Sequence, residues 1–388
     1  MDELKVALLS CGLGHVNRGF EISTARWYRA LRDQPGLAVR LFSGGEHAEA
    51  TRIATINRDA WLSGPVSWLP ALDDRRRWQT AYVMEQITFG IGLLPHRTGW
   101  VPDVVWTKEV PLAHFLHYAR AVFNLKYKII FANGAPFNPP TYKQFDFIQQ
   151  LQRDSYDQAV EFGIPADRMR IIPNCVPVLE PSAGRAELRQ TFGYSEDDWI
   201  VVSIAAWNRY HKRLDYLIEE VASIPDPSIK LLLCGHPETE TAGLKALAQE
   251  KLGARVSWRT LSEQQIRDAL HLSDVFVLTS LGEGLGSVLI EAAMAGLPVI
   301  SHPHGGSKFI LEDPAWMLDL SKPGALAAKL TEFRAQPPHP EKLKELQSRA
   351  LSRFSDKALA PQFKQMVEEL AAARRPGRRV LGHPTARA

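Results

Sequence analysis

Residues 273–300 read SDVFVLTSLGEGLGSVLIEAAMAGLPVI, and this stretch decides the fold. An apolar run predicts a buried strand ending at Ser280. A glycine-rich turn follows from Gly282 to Gly286, then a helix starting near Ser287, and Gly296-Leu297-Pro298 leads into the next strand. Glycines between a strand and a helix let backbone N–H groups approach a ligand without side-chain obstruction, and the helix N-terminus adds positive potential. The segment therefore predicts an anion site. Two carboxylates frame it, Glu283 in the turn and Glu291 about two helical turns along the helix.

Outward from this unit, short β-rich runs alternate with helical patterns, which indicates parallel sheets built from βαβ units. KVALLSC, LAVRLFSG, DVVWTK and YKIIFANG are the strands expected before residue 180, with helices at 20–32 and 112–122 and a turn-rich RIIPNCVP closing the half. EPSAG reads as a linker. DDWIVVSIAAW, IKLLLCGH, ARVSWRT, DVFVLTS and LPVISHP restart the pattern, and residues 341–373 read as helices. The expected fold class is α/β: two facing doubly wound, Rossmann-like domains with parallel sheets, over residues 1–180 and 186–355. Residues 356–388 supply a helix packing back toward the N-terminal domain and a basic tail. Ligands of such sheets bind at the carboxyl ends of the strands, so the cleft between the halves is the expected site.

Composition narrows the function. The 388 residues exceed what one hydrophobic core usually organises, which fits two domains. A net charge of +3 is far from the basic excess that nucleic-acid phosphates select, so no nucleic acid is expected as partner. Cys11, Cys175 and Cys234 form no C-x-x-C pair and offer neither a zinc site nor a disulfide framework, which fits a reducing compartment. The first apolar run is too short for a signal peptide, and no stretch approaches ~20 apolar residues. The expected location is cytoplasmic. Arg374, Arg375, Arg378 and Arg379 in the tail leave a peripheral contact with the inner membrane surface open.

The order strand, Glu283, glycine turn, apolar helix, Glu291, Ala-x-Ala-Gly-x-Pro-Val-Ile resembles the E-x7-E segment of glycosyltransferase family 4, retaining enzymes of GT-B fold. The resemblance covers the C-terminal half well and the N-terminal half in outline. It implies that Glu283 contacts the donor sugar, that Glu291 binds the ribose hydroxyls, and that amides of Gly284, Leu285, Gly286 and Ser287 hold a diphosphate. IAAWNRYHKRLDYL places Arg209 and Lys212 just after the first strand of the second domain, where two cations can neutralise a diphosphate as charge builds on the leaving group. This resembles the family's variant A-x-N-R-x-x-K pattern. The commoner spacing puts the arginine where this chain has Trp207.

The loop SCGLGHVNRGFE suggests a dinucleotide fingerprint, but the third glycine of G-x-G-x-x-G falls on Asn17. The resemblance instead places Gly12, Gly14 and His15 over the cleft. Many family members carry histidines where this chain has Asn133 and Lys108. These two become candidates for a sugar contact and an anionic-acceptor contact, and His114 and His117 are read as packing or surface residues. No D-x-D stands near a strand end, so catalysis without metal or cofactor is expected.

The expected reaction moves a sugar from a UDP- or GDP-linked donor, with retention, to a saccharide, a lipid-linked sugar or a small metabolite. Arg259 is a candidate neighbour of the base. The rivals are a nucleotide-sugar epimerase or phosphorylase on the same fold and a non-catalytic nucleotide-sugar-binding protein.

Overall fold

The computed structural model describes residues 3–16, 18–68, 73–97, 99–135 and 137–373. Asn17 and the arginines of the basic tail lie outside the described residues.

In the first half the chain runs β1 (Leu4–Ser10), α1 (Gly19–Leu31), β2 (Leu37–Ser43), β3 (Thr51–Arg52), α2 (Arg58–Ser63), α3 (Asp74–Leu93) and β4 (Val104–Thr107). It continues through α4 (Val110–Val122), β5 (Lys128–Asn133), β6 (Phe147–Gln150), α5 (Arg153–Glu161) and β7 (Met169–Ile171). These strands form one parallel sheet in the order β3-β2-β1-β4-β5-β6-β7. The segment read as turn-rich, RIIPNCVP, thus begins in its edge strand, pairing Ile148 with Met169 and Gln150 with Ile171. Three residues before a proline are too few to show strand alternation.

The second half runs α6 (Arg185–Phe192), β8 (Trp199–Ile204), α7 (Leu214–Ala222), β9 (Ile229–Cys234), α8 (Thr241–Leu252), β10 (Val256–Arg259) and α9 (Glu263–Leu272). Then come β11 (Val275–Leu278), α10 (Ser287–Met294), β12 (Val299–Ser301), α11 (Gly305–Leu311), α12 (Ala325–Ala335), α13 (Pro340–Phe354) and α14 (Asp356–Ala372). The second sheet has the order β10-β9-β8-β11-β12, again parallel.

The apolar runs of the strands follow from burial on both faces. In β1, Val6 and Leu8 enter a core with Trp27 and Leu31 of α1, while Ala7 and Leu9 enter a second core with Phe89 of α3 and Leu112 of α4. Leu359, Phe363, Met366 and Val367 of α14 belong to the first of these cores, so the last helix packs on the N-terminal domain. The two crossings between domains lie side by side: Val176 donates to Phe354 and accepts from Asp356 through the backbone. All three cysteines are free and buried. Among the described residues no helix is long and apolar enough to cross a membrane.

Candidate active site

β8 and β11 are neighbours in the second sheet, so the loops leaving their carboxyl ends face each other. β11 stops at Leu278, two residues before the expected end, because Thr279 turns its hydroxyl to the carbonyl of Lys212 at 2.5 Å. The Asn208 side chain organises the facing loop by accepting from the backbone N–H of Lys212 (2.8 Å) and of His211 (3.2 Å). Arg213, in left-handed conformation at φ 50°, pins the loop's end to the Leu320 carbonyl at 2.7 Å. The Lys212 ammonium consequently meets the Glu283 carboxylate in an ion pair. His211 Nε2 stands 3.7 Å from the same carboxylate and 3.1 Å from the Gly282 carbonyl oxygen. Burial works to raise the Glu283 pKa, but Lys212, helped by Ser280 and His211, outweighs it and holds the carboxyl below its ordinary value. Glu283 is ionised at neutral pH. Arg209 stands apart: it is exposed beside Gly243, with its backbone N–H donating to Glu240 at 2.8 Å.

Gly286 takes φ 83° at the start of α10, a conformation that favours glycine. A Cβ on Gly284 would lie 2.8 Å from the Gly134 carbonyl oxygen of the N-terminal domain, so the turn and the end of β5 close on each other. Leu285 is buried, with its carbonyl against Gly306 at the start of α11. Ser287 Oγ accepts from Asn174 at 3.2 Å. Glu291 faces the N-terminal domain, and its Oε1 receives Arg26 Nη1 at 2.8 Å.

The acceptor-side candidates sit around the end of the first sheet. Gly14, at φ 95°, backs onto Gly45, and His15 Nε2 meets Glu85 at 2.7 Å. Glu85 also binds Arg58 at 2.6 Å. A Cβ on Gly12 would press on the carboxylate end of the buried Glu21 side chain. Asn133 is buried and donates to Gln150 at 2.9 Å, with its own Oδ1 unpartnered. Lys108 points into the protein. It is 2% exposed and donates to Ser23 at 2.6 Å and Asn174 at 2.5 Å, and burial brings its pKa down to about 7. Through Asn174 it reaches Ser287 instead. His114 stacks edge-on against Phe145 at 5.2 Å between centroids, and Arg259 is exposed at the end of β10.

His211, read from its place beside Lys212 as peripheral, stands next to Glu283, and two residues at the site have no warning in local sequence: Arg26 and His304. The last stands just beyond β12, and its Nδ1 accepts from the Ser307 backbone at 3.2 Å, which places the ring proton on Nε2. That Nε2 is buried without a hydrogen-bond partner. Burial lowers the His304 pKa to about 4, against the pull of Glu283. The unfolded chain, with an ordinary histidine, takes up a proton near pH 6.5 that the folded state refuses until about pH 4. This histidine therefore removes stability as pH falls through that window. His304→Asn should flatten the acid limb of a denaturation profile between pH 6.5 and 4, and an unchanged slope would show that the ring is free to protonate in place.

Comparison with known proteins agrees with this architecture. Residues 184–349 match the family model described as Glycosyl transferases group 1. Over 190 residues the chain is 30% identical to EpsD of Bacillus subtilis, a glycosyltransferase by name, the match covering 47% of each protein. Over 309 residues it is 24% identical to a D-inositol 3-phosphate glycosyltransferase of Xylanimonas cellulosilytica, covering 72% of this chain and 64% of that one. The matched region thus spans about half to just under two thirds of these relatives. Sucrose-phosphate synthase from Thermosynechococcus elongatus superimposes with a TM-score of 0.77 at 19% identity, over 96% of this chain and 100% of that one. The Anabaena protein Alr3699/HepE, solved with UDP-glucose, gives 0.73 at 15% identity, over 95% and 100%. The chain has the GT-B fold, and its C-terminal domain carries the sequence pattern of the group 1 glycosyl transferases.

Proposed function

We propose that the protein is a retaining, family 4-type glycosyltransferase that moves a sugar from a UDP- or GDP-linked donor to a hydroxylated acceptor without a metal ion. The observation that carries this reading is the Lys212–Glu283 ion pair at the mouth of the glycine turn, closed over by the Gly134 carbonyl of the facing domain. A carboxylate kept ionised there can stabilise positive charge on the donor sugar. The ammonium beside it can neutralise the departing diphosphate, with the amides of residues 284–287 at the start of α10 sharing that charge. Arg209 is a second cation on the same loop, and Glu291 offers a carboxylate to the ribose. HepE, similar in fold, is solved with UDP-glucose, and its nucleotide supports the choice of donor class.

Thermal-shift screening against nucleoside diphosphates and nucleotide sugars tests the reading, because a ligand that binds only the folded state raises the melting temperature. UDP or GDP should stabilise the protein. Glu291→Ala should weaken that nucleotide by more than ~1 kcal/mol with the fold intact, the scale of a lost charged hydrogen bond. Undiminished affinity would remove Glu291 from the ribose site. Turnover should persist in excess EDTA and gain nothing from Mg²⁺ or Mn²⁺. Activity lost to the chelator and restored by metal would overturn the assignment of the diphosphate charge to Lys212 and Arg209.

A further inference from the structure

Arg26 lies on α1 of the N-terminal domain, yet both of its carboxylate partners belong to the C-terminal domain. Nη1 meets Glu291 Oε1 at 2.8 Å, and Nε meets Glu263 Oε1 at 2.5 Å. The side chain is 9% exposed. Burial alone would lower the pKa of such a guanidinium, but the two carboxylates overcome that and bind its proton more tightly than usual. Glu263 is shared with Arg29 at 3.0 Å, and Arg29 and Arg32 both hold Glu49, each at 2.7 Å. Alternating charges therefore run from the cleft to the outer surface of the N-terminal domain. The inner end borders a cavity also lined by Val176 of the interdomain crossing and Met294 of α10.

We propose that Arg26 is a positioning residue for the nucleotide: it holds one oxygen of Glu291, leaves the other to accept from the ribose diol, and ties that presentation to the approach of the two domains. The proposal rests on the donor reading above. Two features favour positioning over a mere structural tie. The guanidinium is planar, so a bond to Nη1 and a bond to Nε fix the two carboxylates in one geometry. Without it, Glu263 and Glu291 would face each other around a cavity that Glu180 and Arg267 also line, and Glu291 would turn to solvent or toward Arg267. In either state it is a poorer partner for the ribose. The nucleotide would then have to restore the orientation that Arg26 now supplies in advance.

The test is calorimetric titration with UDP and with GDP of the wild type, Arg26→Met, Arg26→Lys, Glu291→Ala and the double variant Arg26→Met/Glu291→Ala. Arg26→Met should weaken nucleotide binding about tenfold, the scale of a charged hydrogen bond, and the lysine variant should recover part of it. If Arg26 acts through Glu291, the double variant should bind no worse than Glu291→Ala alone, since the two losses are one loss. In donor turnover the effect should fall on KM rather than kcat, because Arg26 touches no reacting atom. Unchanged or tighter binding by Arg26→Met would overturn the proposal, tighter binding meaning that the arginine competes with the ribose. Losses that multiply in the double variant would also overturn it and reduce the clasp to a tie between domains. Should the methionine variant fail to fold, Arg26→Lys carries the same comparison with the charge retained. A wild type that binds neither nucleotide would instead refute the donor reading itself, and this proposal with it.

Discussion

Replacing Lys212 with alanine should lower kcat by ~100-fold or more while raising donor KM less, the loss expected when a charge stabiliser of the transition state is removed. The ammonium is fixed before the donor arrives, by the Asn208 side chain on its backbone and by the ion pair with Glu283. Its attraction for the diphosphate grows as the sugar–phosphate bond breaks, so the transition state loses more than the ground state. A second readout follows from the carboxylate left behind. Glu283 is mostly buried, and burial raises its pKa while Lys212 lowers it. In the variant the largest lowering influence is gone, so the Glu283 pKa rises and the acid limb of the pH–rate profile should move to higher pH. Lys212→Arg should rescue only in part, since a planar fork does not reproduce a compact ammonium. Arg209→Ala should act in the same direction but more weakly, because Arg209 is exposed while Lys212 is paired with Glu283. The double variant should fall short of additivity if both serve one charge. A Lys212→Ala enzyme altered only in KM would mean that the lysine supplies uniform binding. One altered in neither constant would place the diphosphate elsewhere.

The parts of this site that sequence reveals are local ones. A strand, a glycine turn and a helix are consecutive in residues 275–294, so their order alone places Glu283 and the start of α10. Lys212 is legible for the same reason, following a strand and preceding an amphipathic helix. The long helix α3 escapes the periodicity argument because its buried face carries Glu85 and Gln86, polar residues held by Arg58 and by the Leu112 backbone. Apolar spacing cannot register a helix that buries carboxylates and amides. Lys108 shows a different limit. Its position at the end of β4 is correctly read, but the direction of its side chain depends on Ser23 and Asn174, far away in the chain. Arg26 and Glu291 are 265 residues apart, and only the closure of two domains brings them together.

Gly305 and Gly306, adjacent at the start of α11, should respond very differently to alanine. A Cβ on Gly305 would press on the carboxylate of Asp154 and lie 3.0 Å from Gln152 Oε1, both of them ends of side chains that can rotate aside. A Cβ on Gly306 would overlap the carbonyl oxygen of Leu285 and lie 2.8 Å from its carbonyl carbon, and this is backbone of the glycine turn itself. Leu285 is buried at the base of that turn, so it cannot yield outward. Relief requires the turn and α11 to move apart, and the turn bears Glu283 and the amides assigned to the diphosphate. Gly306→Ala should therefore cost about 1–3 kcal/mol of stability, the usual range for overpacking. A loss of that size corresponds to a melting temperature lower by several degrees for domains of this length. It should also reduce nucleoside diphosphate affinity by more than the stability change accounts for, with UDP and GDP titrated well below the melting transition. Gly305→Ala should stay near wild type in both measurements. Equal behaviour of the two variants would show that α11 does not hold the turn in place. A destabilised Gly306→Ala with undiminished nucleotide affinity would separate the packing from the ligand site and move the diphosphate off residues 284–287.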